Sequence, residues 1–413
     1  MPAGCPLLSG HVFAWPCRVP CPLLAGHVSG RRARLRPTSA AAQPGMRSEL
    51  NGVTKSEHLR QVLAGDPAVG PAMSCWYHFP PAFHAPERAV EAHLRHLETF
   101  DLDFVKVMNE VGDPREAFGP SAVARAVDDL SKLRELPGDA PPFDRQLEII
   151  RLLAERLGGR VPMTTTIFNA WVVLRRLTQP PPETHGPPTI DLQDDPRDRK
   201  LTLWLREDFS AVAVALAAIG RTLANFARAC IEAGADGIYL ALRDDWVDTP
   251  ANLAVIASRP DQPSDAPGLS IYDELVAETD RMILSGAAGG WFNMLHLCGR
   301  PLCFERHVDN PHVHAIHWAD RITGPSIAVA RQALQVPGTV AAGGPKALAC
   351  GVNNLRTLPH GTPADVAAEV RDARAAARGH PLIIAPGCTY DPDAVPDENV
   401  HAMVAAARGR EVS

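Results

Sequence analysis

From Met73 onward, short apolar runs alternate with stretches whose hydrophobic positions recur every three or four residues. Short apolar runs suit buried parallel strands and the three-to-four spacing suits amphipathic helices, so the rhythm is that of repeated βα units. Eight strands are predicted: Met73–His78, Asp103–Met108, Val161–Phe168, Asp236–Leu242, Trp291–Leu297, Val313–Trp318, Gly338–Ala342 and Pro381–Ala385. Eight parallel strands with intervening helices predict a single-domain (β/α)8 TIM barrel. Among the helices, Thr362-Pro363 supplies an N-cap and a first-turn proline ahead of Val366, Val370, Ala373 and Ala377, which share one face, and Gly379 stands where such a helix ends. Phe143–Gly158 carries Leu147, Ile150, Leu153 and Leu157 at the same spacings, and the apolar stretch Asp208–Gly234 is expected to lie against the barrel. Thr178–Lys200, with six prolines and a cluster of charges, breaks the rhythm. A long connection after a barrel strand is either a lid over the active-site face or a solvated insertion.

Composition and charge narrow the picture. The chain has 413 residues and a net charge of -6. Residues 1–45 carry five arginines, no lysine and no acid, which leaves 36 basic against 47 acidic residues in the remainder. So acidic a surface repels phosphate backbones, and no nucleic-acid partner is expected. No apolar run free of charge approaches the roughly 20 residues that span a bilayer, so no membrane span is expected. The nine cysteines lack a compact disulfide spacing and suit a reducing, cytoplasmic setting. The start repeats itself, Cys5-Pro-Leu-Leu-Ser-Gly-His-Val12 returning as Cys21-Pro-Leu-Leu-Ala-Gly-His-Val28, and its seven prolines prevent the helix a transit peptide needs. Residues 1–45 are therefore expected to be a disordered leader, or to precede a true start at Met46, with the barrel occupying 46–413.

The sharpest chemical feature is Met294-Leu295-His296-Leu297-Cys298-Gly299. Residues two apart on a strand face the same way, so His296 and Cys298 point together at the C-terminal end of the fifth strand, where barrel enzymes place their active sites. Alone, such a pair is more often a buried histidine beside an inert cysteine. Cys388, directly after the last strand, adds a third ligand on the same rim, and three protein ligands with an open position describe a catalytic Zn²⁺ site. Cys303 competes for that role, and Glu110, just past the second strand, is a candidate fourth ligand or a solvated acid. His317 and Asp320 flank the end of the sixth strand and, with Asp245, are candidate catalytic groups; His317 reads equally as a packed core residue. Asp244 and Asp245 either orient substrate or cap a helix. Trp76 and His78, at the mouth of the first strand, are candidate substrate-binding groups, although alternating aromatics also suit a core. Gly343-Gly344 lack a phosphate-loop context and read as a turn.

The C-terminal stretch carries Gly361-Thr-Pro-Ala-Asp-Val366, Ile383-Ile-Ala-Pro-Gly-Cys-Thr-Tyr390 and Glu398-Asn-Val-His-Ala-Met-Val404. With Gly234-Ala-Asp-Gly-Ile238 and Trp318-Ala-Asp320, it resembles the uroporphyrinogen decarboxylase superfamily over about residues 55 to 410. The resemblance implies one of two chemistries. One branch decarboxylates the macrocycle without a cofactor and grips its carboxylates through an Arg-X-X-X-Arg motif. Here the equivalent segment is Met73-Ser-Cys-Trp-Tyr-His-Phe-Pro80, with no arginine, and arginine is the natural carboxylate clamp. The other branch comprises corrinoid-linked methyltransferases that hold zinc through a His-X-Cys strand motif and a distant cysteine, which His296, Cys298 and Cys388 match. The resemblance thus implies a zinc methyltransferase moving a methyl group from a methylcorrinoid (cobalamin), carried on a partner protein, to a small-molecule thiol. A cofactor-free decarboxylase of porphyrin metabolism and a non-catalytic tetrapyrrole- or corrinoid-binding barrel are the alternatives. Barrels of this kind often pair through rim loops, so a homodimer is also expected.

Overall fold

In the computed structural model, residues 49–50, 52–110, 114–118, 124–179, 195–259, 270–335 and 345–411 are described. The leader 1–45, the loop 180–194 and the predicted strand Gly338–Ala342 lie outside them. The barrel strands are β1 (Ala72–Met73), β2 (Val105–Val107), β3 (Met163–Phe168), β4 (Gly237–Arg243), β5 (Met294–Cys298), β6 (Ala315–Trp318), β7 (Ala347–Val352) and β8 (Leu382–Pro386). Every ladder is parallel, and the order runs β1-β8-β7-β6-β5-β4-β3-β2 around one sheet. The eight parallel strands and surrounding helices form an α/β TIM-type barrel, as the hydrophobic rhythm predicts.

The seam between β1 and β2 is closed by a side chain rather than by a full ladder. Asp103 N–H donates to the Met73 carbonyl at 2.9 Å, and its Oδ2 accepts the Met73 N–H at 2.9 Å. Ser74 Oγ donates to the Phe104 carbonyl at 2.8 Å. The strand itself ends at Met73; Ser74 N–H still donates to the Ile384 carbonyl of β8 at 3.1 Å, and 75–79 continue outside the strand. Arg408, near the C-terminus, pairs with Asp101 and Asp103 and ties the last helix to this seam.

Two segments depart from expectation. The seventh barrel strand among the described residues is Ala347–Val352, a segment that the hydrophobic pattern did not predict. Its Ala-Leu-Ala-Cys-Gly-Val sequence is small and weakly hydrophobic, yet every residue is buried. The apolar stretch after Asp208 forms one unbroken 24-residue helix, Phe209–Glu232, which by length and composition alone is enough to cross a bilayer. Arg221 lies on its exposed side, while Val212, Ala215, Leu216, Ile219, Leu223 and Phe226 are buried. Its apolar face is occupied by the barrel, notably the helix Ala277–Gly286. Part of the proline-rich interruption also folds: Asp195 caps the helix Pro196–Glu207.

Candidate metal centre

His296 and Cys298 lie on β5 with Leu297 between them, and Cys388 follows β8 two residues after Pro386. The His296, Cys298 and Cys388 ligand atoms all lie within 4.8 Å of one another, and among the described residues they are the only three or more His, Cys, Asp or Glu side chains so grouped. Cys388 Sγ is 3.7 Å from His296 Nε2. A tetrahedral ion with bonds of about 2.0–2.3 Å separates a nitrogen and a sulfur ligand by a similar span, so the donor set and spacing fit zinc.

A buried hydrogen-bond chain sets which nitrogen of His296 is free. His317 Nε2 faces the Pro386 carbonyl at 2.8 Å, and a carbonyl only accepts, so that nitrogen carries a proton. Burial pushes the His317 pKa down to about 3, so the ring is neutral and its Nδ1 is a lone pair. His317 Nδ1 and His296 Nδ1 stand 2.7 Å apart, which requires a proton between them. That proton belongs to His296. Its Nε2 is left as a lone pair beside the cysteines, the tautomer a metal ligand needs. Tyr239 OH also stands 2.7 Å from His317 Nδ1. Trp76 meets both rings edge-on, 5.0 Å from His317 and 5.5 Å from Tyr239.

The two sulfurs are electrostatically unlike. Cys388 is pulled well below the usual thiol range by the Cys298 S–H facing it. Cys298 is pushed up by the same contact and by burial. The pair thus behaves as one thiolate and one thiol sharing a proton, which a bound cation would displace. The turn after Cys298 is tightly built. Gly299 has φ +81°, and a Cβ there would lie 2.1 Å from Asp245 Oδ1. Arg243 braces that aspartate, Nε to Oδ1 at 2.9 Å and Nη2 to Oδ2 at 2.6 Å.

Other candidate residues are placed elsewhere. Glu110 is not in the cluster; its Oε1 accepts from His78 Nδ1 at 3.0 Å and from Phe79 N–H at 3.2 Å, beside an exposed His78. Asp244 is buried, with His307 Nε2 at 3.0 Å and the Cys303 N–H at 3.0 Å. Burial alone would raise its pKa, but His307 and Arg306 outweigh that and hold it low. Neither Asp244 nor Asp245 caps the short helix Asp244–Val247; both are tied into ion pairs. Asp320 accepts the Gly351 N–H at 3.0 Å, and burial raises its pKa to about 6. Cys303 stands outside the cluster. Sequence reading passed over Lys106, Tyr239 and Arg243. The signal for Lys106 was a lysine between Phe104 and Met108 on the inward-facing positions of a strand.

No protein-family model and no curated protein matches the chain. A methyltransferase from Methanosarcina mazei is similar in structure, with a TM-score of 0.63 and 20% identity over 86% of this chain and 99% of that one. The chain has the fold of that methyltransferase. A B12-independent methionine synthase from Shewanella is more distant, with a TM-score of 0.39 and 12% identity over 63% of this chain and 65% of that one.

Proposed function

We propose that the chain is a zinc-dependent methyltransferase that moves a methyl group between a corrinoid and a thiol or similar acceptor. The observation that carries this reading is the convergence of His296, Cys298 and Cys388, from two distant strands, at the C-terminal mouth of the barrel. When bound, zinc supplies a Lewis acid that keeps a coordinated thiol deprotonated at neutral pH. The chain's own residues prepare that role. His317 and the Pro386 carbonyl hold His296 in the ligand tautomer, and Arg243, Asp245 and Gly299 hold the backbone that carries Cys298. The fold shared with the Methanosarcina mazei methyltransferase and the sequence resemblance both support the assignment. The corrinoid would arrive on a separate protein, and the chain would act in the cytoplasm, as a homodimer.

A porphyrinogen decarboxylase is less well supported, because the segment that would carry its arginine clamp runs from Met73 to Pro80 without an arginine. The test is demethylation of methylcobalamin by a small thiol, followed by its absorbance change. Zinc-loaded protein is expected to catalyse it, and chelator-treated protein to lose the activity until zinc is restored. Equal turnover in metal-free protein, or carbon dioxide release from uroporphyrinogen, would overturn the assignment.

A further inference from the structure

The connections that follow β4 and β5 are joined by a row of buried polar groups that the reaction outlined above does not use. Asp244, the residue after β4, accepts the Cys303 N–H on Oδ2 and meets His307 Nε2 on Oδ1, both at 3.0 Å. His307 Nδ1 lies 3.4 Å from the Tyr272 hydroxyl, which stands 3.0 Å from Asp280 Oδ2. Tyr272 opens a π-helical turn, Tyr272–Val276, that leads into the helix carrying Asp280. All four of these residues are buried. Cys303 comes five residues after Cys298, so the stretch leaving the metal centre is pinned to the end of β4 at Cys303 and again at His307. The other groups facing the row are Asn169 Nδ2, 3.4 Å from Asp280 Oδ2, and Arg306, 3.7 Å from Asp244 and engaged by Asp248 at 2.8 Å.

The hydrogen bonds fix how many protons the row needs. Burial would raise the Asp244 pKa, but His307 and Arg306 hold it low, so its carboxylate only accepts and His307 Nε2 carries a proton. The Tyr272 hydroxyl has one proton to give. With Asp280 ionised and His307 Nδ1 unprotonated, it faces two acceptors and satisfies one. A single further proton completes the row. Placed on Asp280, it is donated to the Tyr272 oxygen, and the Tyr272 proton goes to His307. Placed on His307 Nδ1, it sends the same two bonds the other way. Without it one contact breaks, and the longer contact, to His307, is the weaker. Burial raises the Asp280 pKa to about 7, against the opposing contact with Tyr272 and charge of His307. A carboxyl raised in this way keeps its proton below that value and loses it above. The row is therefore complete in mild acid and interrupted as pH rises through neutrality.

We propose that Asp280 is a positioning residue: the proton it shares with His307 through Tyr272 locks the stretch 299–308 to the end of β4, and loss of that proton loosens the stretch beside the metal centre. The inference rests on the methyl-transfer reading for its effect on turnover, but not for the lock itself.

The test is hydrogen–deuterium exchange of the 299–308 amides in the full-length protein between about pH 6 and pH 8, one unit either side of the raised carboxyl, with the intrinsic rate divided out. It is run beside kcat for methylcobalamin demethylation by a small thiol in zinc-loaded protein. Wild-type protection should fall roughly 3- to 10-fold across that range, as loss of one net hydrogen bond entails. Asp280→Asn mimics the protonated carboxyl, because its amide donates to Tyr272 at every pH, and should stay protected throughout. Tyr272→Phe cannot pass the proton on and should stay at the low level throughout. The ratio of wild-type kcat to that of Asp280→Asn should fall in step with protection, while the ratio of Tyr272→Phe to Asp280→Asn stays low and flat. Constant wild-type protection, an Asp280→Asn protein that still loses it, a Tyr272→Phe protein that titrates like the wild type, or turnover indifferent to protection would overturn the proposal. The wild-type profile decides the matter should a substitution prevent folding. The same protection pattern in a chain that demethylates nothing would remove the methyl-transfer reading and leave the lock standing.

Discussion

Replacing His317 with phenylalanine tests the hydrogen-bond chain behind the cluster. The ring is fully buried and of similar size to phenylalanine, so the substitution removes hydrogen bonds while opening little space. Three contacts go: to His296 Nδ1 at 2.7 Å, to Tyr239 OH at 2.7 Å and to the Pro386 carbonyl at 2.8 Å. The carbonyl is left buried and unpaired, which costs about 1–3 kcal/mol of stability. His296 loses the acceptor that keeps its proton on Nδ1, so Nε2 is no longer held as a lone pair. Loss of such an outer partner lowers metal affinity about 10–100-fold, equivalent to about 1.4–2.7 kcal/mol. Zinc affinity is read by competition with a chromophoric chelator, and stability by urea unfolding of the metal-free protein. Tyr239→Phe is the control, since it keeps both imidazoles and should cost less. Unchanged zinc affinity in His317→Phe would refute the tautomer argument.

Three further outcomes follow from the same geometry. Gly299→Ala forces a Cβ against Asp245 at a positive φ, and should lower stability by roughly 1–3 kcal/mol and weaken zinc binding, both measured as above; a neutral result would mean that the turn does not position Cys298. Arg408→Met leaves the fully buried Asp103 carboxylate without its ion pair, and should destabilise by about 3–5 kcal/mol in urea unfolding; a loss below 1 kcal/mol would show that the seam does not depend on it. Acidification should weaken the fold. Burial depresses His93, His96 and His314 to about 4 and His317 to about 3, so from pH 6.5 downward the unfolded chain binds protons that the folded one refuses. Asp280 and Asp320, raised by burial to about 7 and about 6, act in the opposite sense, but four histidines outweigh two carboxyls. The urea midpoint should therefore fall between pH 7 and pH 5, whereas a flat or rising midpoint would contradict it.

How far the sequence carried the structure depends on how strongly each segment encodes its environment. The pair on β5 was legible because strand periodicity alone puts His296 and Cys298 on one side, and Cys388 because it abuts the last strand. Strand β7 was not, since Ala347, Ala349, Cys350 and Gly351 carry little hydrophobic signal and their burial is decided by the strands on either side. The roles of Asp244, Asp245, Glu110 and Asp320 were beyond local reading. Asp244, Glu110 and Asp320 are set by partners far along the chain, such as His307, His78 and the Gly351 N–H, and Asp245 by an Arg243 that only the folded rim turns toward it. Lys106 escaped notice because a lysine in a strand ordinarily signals an exposed face, and only the closed barrel turns that face inward.

Metal content of the purified protein and two single variants bears most directly on the central claim. The account predicts about one zinc per chain in the wild type, the stoichiometry of a three-ligand site, and its loss in both Cys298→Ala and Cys388→Ala with the fold retained by circular dichroism. Wild-type protein that takes up no zinc, or either variant retaining a full equivalent, would contradict it.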